Sequence, residues 1–290
     1  MASTLSSSKA RPVPELQASV TKRLTEFPWW VLFLLLVGVI LVYNFFTNAT
    51  YQDILSNLSE GIYLTIVVTI VGFVLSIILG LITAFGQMAK FFVFRNLALL
   101  YVQIVRGIPV LVLIFYTAFV IVPISINLMN SFGSWLATIG VLAPENWFTA
   151  LSIRNVDFLV RGIIALALNY GAFSSEIFRA GIQSIEKGQL EAAKALGFTW
   201  WQTMRLVILP QAIRRILPPL ANDFISMLKE SSLVSVIGVG EITQLAKKYS
   251  AASFLFPETY NTVAFMYLSM TLILSIGVKY MERRLKIGER

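Results

Sequence analysis

The 290-residue sequence has no cysteine and no histidine, and only 13% of it is charged, about half the roughly 25% of an average soluble domain. The missing cysteines exclude disulfides and thiolate chemistry. The missing histidines remove the imidazole base and, with the thiols, the usual ligands of zinc, so no metal site is expected. No Gly-x-Ser-x-Gly elbow occurs, and no Gly-x-x-x-x-Gly-Lys-[Ser/Thr] phosphate loop, so neither a serine hydrolase nor an ATPase is written here. Acidic residues are scarce too, 15 against 23 Lys and Arg, for a net charge of +8. What fills the chain instead is apolar: 57% of residues are hydrophobic, with a mean hydropathy of +0.77. This is the composition of an integral membrane protein. In such a chain the basic excess belongs to loops on one side of the bilayer and does not indicate nucleic acid.

A membrane span needs about 20 mostly apolar residues, and charge-free stretches locate six. Residues 27–52 carry no charge and are most apolar at 29–46; residues 61–89 carry none. Residues 97–122 are apolar apart from Arg106, 163–173 centre a weaker fourth span, 214–246 form an interrupted fifth, and 259–278 a clear sixth. Alternate loops are basic. Lys9, Arg11, Lys22 and Arg23 precede the first span, Lys90 and Arg95 follow the second, and Lys187, Lys194, Arg205, Arg214 and Arg215 lie between the fourth and fifth. Lys279, Arg283, Arg284, Lys286 and Arg290 follow the sixth, while Lys247 and Lys248 go against the trend. Both termini are therefore expected in the cytoplasm. Residues 1–28 read as a mobile cytoplasmic tail. The segment 29–46 reads as a retained anchor, since 45–48 (Phe-Phe-Thr-Asn) has no small-x-small cleavage site. No repeat at half-chain spacing is visible, as an inverted-repeat carrier might show.

The most patterned loop lies between spans four and five. Leu190, Ala193 and Leu196 recur at helical spacing with Glu191 and Lys194 beside them. Gly197 suits a left-handed helix stop, and Thr199 followed by Gln202 has the form of a capping box opening a second helix. Two readings compete for this hairpin, an amphipathic helix on the bilayer surface and a helix docked in a groove of another protein. The small Ala192 and Ala193 favour docking, because a membrane-surface helix wants large apolar residues.

Here the residues resemble a known family. Glu191-Ala192-Ala193, then Gly197, then Leu209-Pro210 is similar to the EAA motif of bacterial ABC-importer permeases, with Val207 where that motif has Ile. Arg106-Gly107-Ile108-Pro109, the run 169–173 (Asn-Tyr-Gly-Ala-Phe) with Glu176 and Arg179, the run 218–225 and the run 229–233 (Lys-Glu-Ser-Ser-Leu) resemble the polar amino-acid permeases, the histidine/glutamine/arginine/glutamate type. The resemblance covers about 61–286. It implies an all-α membrane fold, a five-helix permease core at 60–286 with one extra N-terminal transmembrane helix at 29–46, and a cytoplasmic coupling helix at about 185–204. It also implies a permease subunit of an ATP-driven amino-acid importer in the bacterial inner membrane. Its partners would be an ATP-binding cassette ATPase dimer, a second permease (identical or paralogous), an extracytoplasmic solute-binding protein and membrane lipid. ATP and magnesium would be used by the ATPase, with no cofactor on this chain and no enzyme activity of its own. Leu190, Glu191, Ala192, Ala193 and Gly197 would form the coupling site, Glu191 as cap or polar contact.

Ionisable residues at membrane depth are candidate pathway groups by default. These are Arg106, Glu176, Asp223, Lys229 and Glu230, with Ser231 and Ser232, in a fifth span also interrupted by Pro218, Pro219, Gly238 and Gly240. The competing reading is structural: Lys229 pairing with Glu230 or Asp223, and Glu176 or Asp223 pairing with Arg106 or Arg179. Arg106, beside Gly107 and Pro109, also reads as the mark of a helix break. Gly72, Ser76 and Gly80 place small residues every four positions along span two, a packing face either within the chain or against a second permease. The alternative to an ATP-coupled permease is an autonomous carrier or channel for small polar solutes, in which the patterned loop would have no purpose.

Overall fold

The computed structural model describes residues 29–286, and the predicted tail at 1–28 lies outside the described residues. Every regular element among the described residues is helical. The chain divides into two units at Asn48. The first contains α1 (Trp29–Thr47), apolar on every side, in which the Asn44 side chain donates to the Ile40 carbonyl and the Thr47 hydroxyl to that of Tyr43. Bonding a polar side chain back to its own helix is how such residues are tolerated in hydrocarbon.

The second unit opens with α2 (Ala49–Met88), whose 40 residues make a rod about 60 Å long at 1.5 Å per residue. Its buried positions, among them Ile54, Leu58, Gly61, Thr65, Val68, Gly72, Ser76 and Gly80, advance by threes and fours and so form one stripe. That stripe is mostly small, and α6 (Phe158–Gln183) lies along it in the most extensive helix contact of the unit. α3 (Phe92–Gly107) then ends at a break: Ile108 and Pro109 are extended, and α4 (Val110–Tyr116) restarts the helix. The expected third span over 97–122 is thus two pieces, because Pro109 cannot accommodate a helical residue before it. The continuous apolar rod is instead Val110–Thr138, made of α4, a π-helical turn (Thr117–Ile121) and α5 (Val122–Thr138).

Four described helices are long and apolar enough to span a membrane: Ala49–Met88, Val110–Thr138, Phe158–Gln183 and Phe256–Arg284. α1 is a shorter apolar helix. The expected fifth span over 214–246 resolves into α9 (Leu209–Glu230), a 3₁₀ segment (Ser231–Ile237) and α10 (Ile242–Ser253), followed by α11 (Phe256–Lys286). Pro218 and Pro219 do not interrupt it: α9 runs through both. The residues four positions earlier, Arg214 and Arg215, are exposed, so the amides the prolines lack are missed on an open turn. The chain changes direction at Gly238, with φ of +88°.

Two π-helical turns share one cause. Thr117–Ile121 and Met204–Ile208 each end two residues before a proline, Pro123 and Pro210. In each, the amide just before the proline reaches back five residues, Val122 to the Thr117 carbonyl and Leu209 to that of Met204. The next carbonyl in that register, Ala118 or Arg205, faces a proline nitrogen that has no hydrogen.

Candidate functional site

The loop hairpin forms as its residues require. α7 (Lys187–Ala195) stops at Gly197, whose φ is +77°. The Phe198 amide bonds the Ala193 carbonyl and the Gly197 amide that of Lys194, the pair of reversed bonds of a Schellman stop. α8 (Trp200–Thr203) opens with the full capping box, Thr199 Oγ1 accepting from the Gln202 amide and Gln202 Oε1 from the Thr199 amide. The expected docking stripe, however, splits. Ala193 is only 3% exposed and Leu190 packs beside Ile185 and Ile208 against the chain's own interior, while Leu196 is 75% exposed. The face left open holds Glu191, Ala192, Ala195 and Leu196. Glu191 sits exposed in the middle of α7, with Glu186 as the helix's N-cap residue, so it does not cap this helix.

The charged candidates fall into two groups. Arg106, on the last turn of α3, lines an open cavity of about 430 Å³ with Gln103, Gly107, Glu176 and Arg179. Its guanidinium lies 5.3 Å from the Phe173 ring centroid, a cation–π contact that holds it on α6. Glu176 pairs with Arg179, one turn along α6, and Arg179 also donates to Gln183. Arg179–Glu176 is the one ion pair among the described residues. Thus Glu176 takes Arg179 rather than Arg106, because positions three apart share a face of one helix. Across α6, Asp223 and Glu230 stand two turns apart on α9 and face the buried Tyr170. Asp223 Oδ2 and Glu230 Oε2 are buried without a partner.

The remaining candidates settle differently. Lys229 is exposed and pairs with neither Glu230 nor Asp223 among the described residues. Ser231 is fully buried and its hydroxyl donates to the Leu228 carbonyl, and Ser232 Oγ donates to that of Lys229. Both serines sit at the end of α9 and bond carbonyls of its last turn. Gly72, Ser76 and Gly80 lie on the buried stripe of α2, facing this chain's own helices. A Cβ at Gly80 would meet the Ser174 Cβ of α6 at 2.8 Å, and one at Gly72 the Met227 sulfur at 3.4 Å. The packing face is therefore internal to the chain.

Three polar residues escaped the reading of the sequence. Gln87 donates to Ser175 Oγ across the α2–α6 seam at 3.2 Å. Glu241, fully buried, caps α10 through the Thr243 and Gln244 amides and accepts from Tyr267. Arg161, 7% exposed, donates to three backbone carbonyls. Charge at membrane depth was the signal for Arg161, but a charge-free window drawn from residue 163 stops just short of it.

The profile of the family described as "Binding-protein-dependent transport system inner membrane component" matches residues 76–287. This chain belongs to that family. It is 32% identical over 230 residues to the glutamine transport system permease protein GlnP of Escherichia coli K12, covering 79% of this chain and 93% of that one. It is 37% identical over 229 residues to the L-cystine transport system permease protein TcyB of Bacillus subtilis 168, covering 79% and 86%. Among solved structures, an amino acid ABC transporter crystallised with histidines is 32% identical with a TM-score of 0.65, over 83% of this chain and 98% of that one. The MetNI methionine ABC transporter, at 18% identity and a TM-score of 0.58 over 79% and 96%, shares the fold.

Proposed function

We propose that this chain is the permease subunit of an ATP-driven amino-acid importer, forming the translocation path and coupling to a separate ATPase. The observation that carries the reading is its identity, across 79% of its length, with permeases named for glutamine and cystine transport. In this reading residues 60–286 are a five-helix core and α1 is an additional transmembrane helix. The broken segment α9–α10 counts as one crossing of that core, and both termini lie in the cytoplasm with the basic loops. Two permeases, identical or paralogous, stand on an ATPase dimer that uses ATP and magnesium. A solute-binding protein delivers the amino acid from the other side.

The open face of α7, with Glu191, Ala192 and Leu196 around the Gly197 turn, is the coupling surface. Its small residues suit close docking, and a rigid hairpin transmits ATPase closure as a rigid-body movement of the spans. Arg106, Glu176, Asp223 and Glu230 are the pathway residues, since charged groups at this depth persist where water or a ligand reaches them. The test is reconstitution. The complete complex in proteoliposomes should accumulate one of L-glutamine, L-arginine, L-glutamate or L-cystine only with the binding protein outside the cytoplasmic face and ATP at it. Uptake by the chain alone, without ATP or partners, would establish an autonomous carrier instead.

A further inference from the structure

Arg161 is a buried guanidinium without a carboxylate among the described residues. Its Nε donates to the Val156 carbonyl at 2.8 Å, one Nη to that of Ile153 at 2.8 Å, and the other Nη to that of Ala118 at 3.1 Å. The Phe158 ring lies 4.8 Å from its Cζ. The first two acceptors flank the 3₁₀ turn (Ile153–Asn155) that leads into α6. The third is the carbonyl in the π turn that Pro123 leaves without an amide partner. The apolar rod carrying this turn begins at Val110, next to the cavity that Gly107 and Arg106 line.

We propose that Arg161 is a positioning residue for transport: it supplies the hydrogen-bond donor that Pro123 withholds and, with the same rigid guanidinium, locks the broken rod to the 152–156 turn. A buried carbonyl with no donor is costly in hydrocarbon, and the five-donor fork of arginine can serve three carbonyls at once where lysine, a point charge, cannot. The rod and the turn then move as one body. A displacement at the loop reaches α4 and the cavity without being absorbed at the π turn, which would otherwise be free to change register. The second π turn has no such donor described at Arg205; the Gln211 side chain nearby bonds the Val207 carbonyl of the same helix, so no hydrogen bond among the described residues ties that turn to another element.

The experiment uses the complete transporter, with uptake of whichever of L-glutamine, L-arginine, L-glutamate or L-cystine the wild type accumulates, and amide hydrogen exchange at 117–122 and 152–157. Arg161→Met should lower uptake about tenfold, the scale of one unsatisfied buried group, and raise exchange in both segments. Adding Pro123→Ala returns an amide to the rod. The double variant should regain protection at 117–122 and recover part of the uptake, while 152–157 stays exposed. A merely loop-anchoring arginine would show no such rescue, and strictly additive effects of the two substitutions would overturn the proposal. If Arg161→Met does not assemble, the same pair is read in an Arg161→Lys background, where additivity is equally decisive. The uptake arm rests on the importer reading and the exchange arm does not. Unchanged exchange in the variants overturns the clamp, whereas absence of ATP-dependent uptake in the wild type overturns the importer.

Discussion

The two long faces of α6 are built on opposite terms. Toward α2 it presents Gly171, Ser174, Ser175 and Phe178, all buried, against a stripe of glycine, serine and threonine so close that Gly80 has no room for a Cβ. Toward α3 it presents Phe173 to the Arg106 guanidinium and Glu176 and Arg179 to an open cavity of about 430 Å³. The first face is closely packed, and the Gln87–Ser175 hydrogen bond closes its end. The second holds an ion pair whose members remain 27% and 35% exposed. In lipid, where apolar burial drives helices together only weakly, close backbone approach is what holds a seam. In the function proposed above, the open charged face on the same helix is where water or solute enters, so that one helix has both a fixed and a working face.

The strongest way to break this contrast is Gly80→Leu. Overpacking commonly costs up to about 3 kcal/mol, and here the first added atom already meets Ser174. We expect loss of monodisperse protein in detergent, and a normal melting temperature would show the seam to be looser than described. Gly197→Val touches neither face of α6. At φ of +77° a β-branched residue is strained by about 1–2 kcal/mol, and the hairpin should lose its turn. Membrane insertion should survive while ATPase association and uptake disappear, as copurification and transport assays would read. Normal uptake by this variant would remove the coupling role from the hairpin.

On the open face, Glu176→Gln should reduce uptake about tenfold, the order of one charge-assisted hydrogen bond. The melting temperature should shift by no more than about 4 °C, because the seam is untouched. A large drop in stability with unaltered transport would reverse the assignment of the two faces. Lys229→Ala should have the smallest effect, less than about twofold in uptake, since an exposed side chain away from special features matters little. Glu230→Gln in the same segment should be markedly worse, because that carboxylate has a buried oxygen and faces Tyr170. Equal effects of the two would mean that Lys229 lines the pathway after all.

These residues also show where reading the sequence stops. The Gly197 stop and the Thr199–Gln202 box formed as expected, because every bond they make closes within five residues. The break at Gly107–Pro109 is equally local. By contrast, Lys229 beside Glu230 was a natural pair on paper, yet Lys229 is exposed and forms no ion pair among the described residues, and of the two arginines open to Glu176 the fold selects Arg179. Ser231 and Ser232, read as pathway hydroxyls, bond carbonyls of the last turn of α9. Which partner a side chain meets depends on how each helix is rotated about its axis, and in a membrane that rotation is poorly encoded. Lipid and core are both apolar, so hydropathy does not distinguish a buried face from an exposed one as it does in water.

By itself, then, the sequence determined a helical membrane protein, several of its apolar helices and the hairpin with its stop and cap from composition and short-range pattern, and through its motifs a resemblance to the family to which it belongs. Only the tertiary structure decided that Gly72, Ser76 and Gly80 pack inside the chain, that Ala193 is covered by its own neighbours, and that Arg161 reaches across 43 residues to Ala118. Those contacts depend on helices placed within a few ångströms of one another, and packing, unlike hydrophobicity or a cap, is a property of the assembled helices and not of any one segment.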